Sequence, residues 1–301
     1  MRLTQAPPVL HVPSNRPALP TLFASAGLTA DVIQEIDHLV VGVGGLVHEL
    51  IRFTAGASSV KDAAGQRLTV ADTLADRLLR ESLLQLCPGS SGYSEEGGAF
   101  GRDGGESRLH WQVDPVDGTR PATLGGAFAV SIGALVLDGG LPVAAAGWVY
   151  LPTLSALYRA FLAPGFSDCR LNDQPVTAEP VSPTDLTSRY LAVGSDWHRL
   201  GAGGHPFKLS APGATAVHLT QLVHPASDVA ATVLTRYKPY DAAGGLVVAA
   251  AGGCELYPMA HGKPAPGALD PIAFLHSGDL LPDQFGPAVL VCRPTTACVL
   301  R

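Results

Sequence analysis

A strand-like stretch at residues 109–113 ends in Asp114-Pro115-Val116-Asp117-Gly118-Thr119, and this hexapeptide constrains the chain more than any other segment. Proline fixes the backbone φ between the two carboxylates. Gly118 permits close approach of the backbone, and Thr119 is placed to cap a following helix. Two carboxylates on one tight turn at a strand end suit a hard cation such as Mg²⁺, which prefers oxygen ligands. The helix start beyond them would offer amide N–H groups to a phosphate. The competing reading is an ordinary Asp-rich turn.

Three further segments are weaker alone. Ser94-Glu95-Glu96 precedes Gly97-Gly98, and adjacent acids on a loop are commonly solvated surface. Asp72 falls in the first turn of an expected helix, where a carboxylate favours the helix dipole. Tyr240-Asp241-Ala242-Ala243-Gly244-Gly245 enters an Ala/Gly-rich helical pattern, where Asp241 reads most simply as an N-cap.

Hydrophobic periodicity predicts helices over 31–53 and 71–86. The first has Ile33, Ile36, Val40, Val43, Val47, Leu50 and Ile51 on one face, Asp31 as cap, and Gly42, Gly44 and Gly45 as points of close packing. The second has Leu74, Leu78, Leu79, Leu83 and Leu86 on one face, with Asp72, Asp76, Arg77 and Arg80 mostly elsewhere. β-rich runs follow at 128–137, 142–150 and 155–161, separated by Gly and Pro turns. Residues 190–193 and 288–293 read as later strands, and 226–234 and 242–251 as helices. A polar, Pro-containing stretch at 179–187 is the expected boundary. The expected organisation is an extended N-terminal arm over 1–25, an α+β domain over 26–182 and an α/β domain over 183–301.

Composition narrows the classes. Apolar residues make up 47% of the 301 residues and charged ones 15%, which excludes a disordered chain. A net charge of −6 argues against a nucleic-acid polymer as partner, since phosphate backbones demand clustered Lys and Arg. The longest apolar stretches, 39–47 and 242–254, fall short of a membrane span. The Pro-rich N-terminus lacks the pattern of a secretory signal. Five widely spaced cysteines (Cys87, Cys169, Cys254, Cys292 and Cys298) without a CxxC point to reduced thiols and a cytoplasmic protein. The histidines form no HExxH or HxH, Gly42-Val43-Gly44-Gly45 is an incomplete dinucleotide loop, and Ser90 and Ser91 lack a G-x-S-x-G frame.

Taken together, Thr69–Asp72, Glu95-Glu96, Asp114–Thr119 and Tyr240–Ala243 resemble, in order and spacing, the signatures of the inositol monophosphatase superfamily of metal-dependent phosphatases. Ala129-Val130-Ser131-Ile132-Gly133, Leu171-Asn172-Asp173-Gln174-Pro175 and Ala251-Gly252-Gly253 are lesser echoes. The resemblance implies a five-layered αβαβα sandwich and Mg²⁺-dependent hydrolysis of a small phosphomonoester, inositol- or sugar-phosphate-like, by metal-activated water. It implies two or three Mg²⁺ per site. Glu95, Asp114 and the Val116 carbonyl would hold one, Asp114, Asp117 and Asp241 a second, and Glu95 with Asp72 a third. Glu95 and Thr119 would orient and deprotonate the water, with Asp72 and Asp117 beside them, and the Gly118 and Thr119 amides would cradle the phosphate. Lys61 aligns with a family lysine near the active site. A homodimer acting on a small phosphorylated metabolite is the family's usual form.

The chain departs from the family pattern in places. Tyr240 stands where Trp is usual, and Arg120-Pro121-Ala122-Thr123 replaces the usual continuation after Thr119. Leu234 occupies the position of the Glu that binds inositol hydroxyls, and Ala250 that of a Glu before Ala-Gly-Gly. Arg120, Arg236 and Lys238 stand near the motifs and are candidates for a second phosphate or a carboxylate of the substrate. A 3′,5′-bisphosphate nucleotidase or specialised-metabolite phosphatase is the alternative within the class. A phosphate-ligand-binding protein with weakened catalysis is the alternative outside it.

Overall fold

The computed structural model describes residues 18–54, 59–60, 67–101, 107–194, 206–260, 263–276 and 286–296. Helices α1 (Thr21–Ser25) and α2 (Ala30–Phe53) come first. A ribbon of β1 (Ser59–Val60) and β2 (Arg67–Leu68) leads into α3 (Val70–Leu86). Next are β3 (Ser91–Ser94), β4 (Gly98–Gly101), β5 (Leu109–Asp117) and the short α4 (Thr119–Thr123). They are followed by β6 (Ala129–Asp138), β7 (Leu141–Leu151), β8 (Ala156–Ala163), β9 (Phe166–Leu171) and β10 (Gln174–Pro175). A 3₁₀ helix at Pro183–Ser188 precedes β11 (Tyr190–Val193), β12 (Lys208–Ser210), α5 (Thr215–Gln221), β13 (Val229–Leu234) and α6 (Pro239–Ala251). The last are β14 (Glu255–Ala260), β15 (Lys263–Pro264), α7 (Pro271–His276) and β16 (Val289–Cys292).

Among the described residues, an eight-stranded sheet runs in the order β10-β9-β8-β7-β6-β5-β3-β4 and a six-stranded sheet in the order β12-β11-β13-β16-β14-β15. Pairing in the first is antiparallel except for β3 with β5. In the second, β12, β11 and β13 are parallel and the remainder antiparallel.

Side chains alternate along the strands and bury both faces of the first sheet. Val130, Ile132, Ala144, Ala146 and Trp148 pack with α2 and α3, while Ala129, Leu135, Ala145 and Val149 pack with α5, α6 and α7. The second sheet closes over those central helices through Val229, Leu256, Val289 and Val291. Its other face holds Leu191, Val193, Val233 and Leu290 under Val181, Leu186 and Phe207. The order helix, sheet, helix, sheet is the α+β layering the resemblance implies, with the 3₁₀ helix among the residues supplying the outer layer.

α6 is apolar nearly all round because it is covered on all sides. It approaches the first sheet through small residues. A Cβ on Gly133 would lie 2.5 Å from the Ala243 Cβ, and one on Gly147 would lie 2.6 Å from the Gly244 carbonyl oxygen. α2 uses one of its glycines the same way: a Cβ on Gly44 would strike the Tyr150 ring, whereas Gly42 and Gly45 have open space.

Several expectations are corrected. The segment 226–234 is not a helix; Val229–Leu234 forms β13. All six residues are buried, the five apolar ones split between two core clusters, so the run carries no surface alternation and reads from sequence like a buried helix segment. α2 is capped by the Thr29 hydroxyl, which accepts from the Val32 amide, and Asp31 sits in the first turn. On α3, Leu74 is 38% exposed, whereas Asp72 and Asp76 lie on the buried side with Ala71, Ala75, Leu79 and Leu83. Within the arm expected over 1–25, Thr21–Ser25 is helical and Phe23 is fully buried; residues 1–17 lie outside the described residues. Among the described residues no helix is long and apolar enough to cross a membrane.

The substitution Gly147→Ala tests the seating of α6. Its Cβ meets a backbone oxygen that cannot move independently, so the loss is expected at about 1–3 kcal/mol in urea unfolding. Unchanged stability would mean that the helix is not held at that distance.

Candidate functional site

β5 delivers the first carboxylates through a break in its pairing. Asp114 pairs with Ser131 and Asp117 with Ala129, so three steps along β5 meet two along β6. Such a bulge re-aims side chains, and it accommodates Pro115, which has no N–H for the ladder. Asp114 Oδ1 accepts from the Val116 amide at 3.0 Å.

Gly118 then takes the left-handed conformation (φ 91°) and is the N-cap of α4. A Cβ there would lie 2.7 Å from the Ala214 Cβ, so glycine is required twice over. Thr119 is therefore the first helical residue and not the cap. Its hydroxyl lies 2.6 Å from Asp72 Oδ1, to which it donates, and 3.2 Å from the Val116 carbonyl.

Two other carboxylates sit at the third position of a helix. In α3, the other oxygen of Asp72 accepts from the Thr69 amide at 2.8 Å and from the Thr69 hydroxyl. The Thr69 oxygen accepts in turn from the Ala71 and Asp72 amides. In α6, Asp241 Oδ2 accepts from the Lys238 amide at 2.7 Å, so Asp241 closes the first turn and is not the cap. Both placements follow from the positive end of the helix dipole and its free amides. Glu95 is fixed through its backbone: its amide donates to the Val113 carbonyl at 3.0 Å, one residue before Asp114.

The result is convergence. One carboxylate oxygen each from Glu95, Asp114 and Asp241 lie within 4.8 Å of one another. Asp117 lines the same cavity, and its two oxygens accept from the Thr215 amide (3.0 Å) and the Ala216 amide at the start of α5. The cavity is about 610 Å³, and Val116, Gly118, Thr119, Arg120 and Arg236 also line it. Lys238 contributes its backbone to Asp241 and is not among the lining residues. Asp72 reaches the cavity through Thr119. Lys61 lies outside the described residues. Tyr240, in place of the usual Trp, stacks on Tyr93 with ring centroids 5.9 Å apart.

Electrostatics match the crowding. Burial, then the charges of Glu95, Asp117 and Asp241, hold the Asp114 carboxyl well above its ordinary range. Burial and the Glu95 charge raise Asp241 against the pull of the Lys238 amide. Burial pushes Asp117 up to about 7, although the Ala216 and Thr215 amides oppose it. An oxygen-only donor set that resists ionisation when empty-handed fits a hard divalent cation.

Sequence reasoning missed the far wall, built by Gly194, 211–215, His218 and Thr235. The amides that hold Asp117 are backbone groups and leave no side-chain signature; the Gly213 turn before a short helical pattern was the available signal. His218 is buried, with its pKa lowered by burial to about 4, and is neutral near pH 7.

A family model described as "Inositol monophosphatase family" matches residues 31–277. The chain belongs to this family. Inositol-1-monophosphatase SuhB of Mycobacterium tuberculosis is 45% identical over 94 residues, covering 30% of this chain and 32% of that protein. The 3′(2′),5′-bisphosphate nucleotidase CysQ of Escherichia coli is 30% identical over 134 residues, 43% of this chain and 51% of that one. The matched stretch thus spans about a third of the length of the mycobacterial relative. Among solved structures, the extragenic suppressor protein suhB from Bartonella henselae superposes with a TM-score of 0.65 at 18% identity, covering 90% of this chain and 97% of that one. Its likeness extends the family's fold to almost the whole length.

The raised carboxyls define a pH dependence. Their native pKa values exceed the unfolded ones, so the native state binds more protons and stability falls as pH rises. For Asp117 the loss develops between about pH 4 and about 7. Metal-free protein should therefore melt at lower temperature at pH 8 than at pH 5, with Mg²⁺ restoring more at the higher pH. A Mg²⁺ effect that shrinks with rising pH would contradict this.

Proposed function

We propose that the chain is a divalent-cation-dependent phosphatase of small phosphomonoesters. The observation that carries this reading is the meeting of Glu95, Asp114 and Asp241, from distant segments of the chain, in one cavity beside the Gly118–Thr119 turn. In this reading Glu95, Asp114, Asp117, Asp241 and the Val116 carbonyl hold Mg²⁺. Each Asp117 oxygen keeps a second lone pair beyond the amide it already accepts. When bound, the cation supplies charge neutralisation at the phosphoryl oxygens and a more acidic water.

The protein's own groups do the rest. The Gly118 and Thr119 amides face the phosphoryl oxygens, where fixed donors need no reorganisation. The Thr119 hydroxyl orients the attacking water, and Asp72 Oδ1, which already accepts from that hydroxyl, takes the proton. The expected form is a cytoplasmic homodimer acting on a small phosphorylated metabolite.

A specific observation favours a substrate with a second anionic group. Arg120 and Arg236 line the cavity, whereas Leu234 is buried in β13 and offers no carboxylate for inositol hydroxyls. Guanidinium groups pair with phosphate or carboxylate. A nucleoside 3′,5′-bisphosphate or a sugar bisphosphate fits this lining better than inositol 1-phosphate.

The test is phosphate release from inositol 1-phosphate, fructose 1,6-bisphosphate, adenosine 3′,5′-bisphosphate and histidinol phosphate, each with Mg²⁺ and with EDTA. Release that needs Mg²⁺ and favours a doubly charged substrate is expected. Asp114→Asn should lower it by about a hundredfold or more while circular dichroism stays unchanged. Cation-dependent binding of these compounds with no release would instead mark a binding protein.

A further inference from the structure

We infer that Asp76, through Arg80 and Ser94, is a positioning residue that sets the Glu95 carboxylate for cation binding; this rests on the cation reading of the site. Asp76 lies one helical turn beyond Asp72 on the buried side of α3 and is only 3% exposed. A carboxylate buried to that degree needs partners, and it has two kinds. Arg80, four residues on, approaches Asp76 Oδ2 with Nε and Nη2, each at 2.8 Å. The Ser94 hydroxyl donates to Asp76 Oδ1.

Ser94 is what makes this more than a helix-surface ion pair. It is fully buried, ends β3 and directly precedes Glu95. Its backbone pairs with Val113, and Glu95 then donates to the Val113 carbonyl. The Glu95 side chain therefore leaves a backbone pinned on one side by β5 and on the other by the Ser94–Asp76 contact. The loop beyond is shaped by the same group: a Cβ on Gly97 would lie 2.3 Å from the Arg80 Cζ, so Gly97 lets the chain close over the guanidinium.

α3 in consequence carries two anchors at i and i+4, which share a helix face. Asp72 holds Thr119, and Asp76 holds the segment that bears Glu95. The distance between the two halves of the cavity is set by one turn of one helix. Partners behind a ligand matter because they fix its orientation before the ion arrives.

The experiment is Mn²⁺ titration of the full chain by calorimetry, with thermal unfolding and Mg²⁺-dependent phosphate release run on the same samples. Ser94→Ala, which removes one oxygen, and Asp76→Asn should each raise the Mn²⁺ dissociation constant about tenfold or more in protein that still unfolds cooperatively. The Mg²⁺ concentration giving half-maximal release should rise in parallel. Combined with Glu95→Gln, Ser94→Ala should add nothing, because its effect passes through that carboxylate.

A folded Ser94→Ala protein with parental Mn²⁺ affinity overturns the positioning role, and so does a loss that adds in full to that of Glu95→Gln. In either case parental Mn²⁺ binding and phosphate release leave the phosphatase reading standing. A parent protein that neither binds Mn²⁺ nor releases phosphate overturns both.

Discussion

Carboxylates within 5 Å of one another in a partly buried cavity repel, and burial penalises their charge further. No chain would assemble Glu95, Asp114 and Asp241 this way unless stronger forces held the backbone beneath them. The hydrogen bonds show where those forces act. Asp114 leans on the Val116 amide, Asp241 on Lys238, and Asp117 on two amides of α5. Each partner is a backbone donor of a turn or helix start, a rigid dipole that stabilises negative charge, and at Asp241 the Lys238 charge adds to it. The unfavourable site is thus a consequence of a favourable scaffold, and the raised carboxyls are the measure of what remains unbalanced.

Two packing devices bring those backbones together. The bulge in β5 turns the Asp114–Asp117 segment out of the ladder at the point where the strand meets the cavity. The close seating of Ala243 and Gly244 on Gly133 and Gly147 brings the first turn of α6 against the same sheet. Bulkier residues in that seam would lift Asp241 away from Asp114. A buried bond network on the central strands of the same sheet serves fold rather than site. There Arg159 pairs with Asp37 and Asp173, and the Trp148 indole donates to Asp37, tying α2 to β7 and β8.

Arg120 and Arg236 line the cavity and Leu234 is buried in the core; in the proposed reading, charge recognition takes the place of hydroxyl recognition by a carboxylate. The clustered carboxylates Glu95, Asp114 and Asp241 are other residues, so in that reading the chemistry and the substrate preference rest on different parts of the cavity.

The sequence by itself determined the family and singled out the carboxylates that meet in and around the cavity. Asp114, Asp117, Glu95, Asp72 and Asp241 stand in short motifs whose local chemistry is legible: a Pro-Gly turn, and acids near the start of helical patterns. It also determined α2, α3, α6 and the long strands of the first sheet, because those segments carry clear periodicity or bounded apolar runs. Tertiary structure decided the rest. Residues 229–234 became a strand, since a run buried on both faces has no period to read and only its neighbours β11 and β16 choose its conformation. Asp76 moved from an expected surface to a buried contact with Ser94, and Asp117 turned to the amides of α5, nearly a hundred residues away. Backbone amides look alike in every sequence, so which carboxylate each one holds is settled only when the sheets and helices pack.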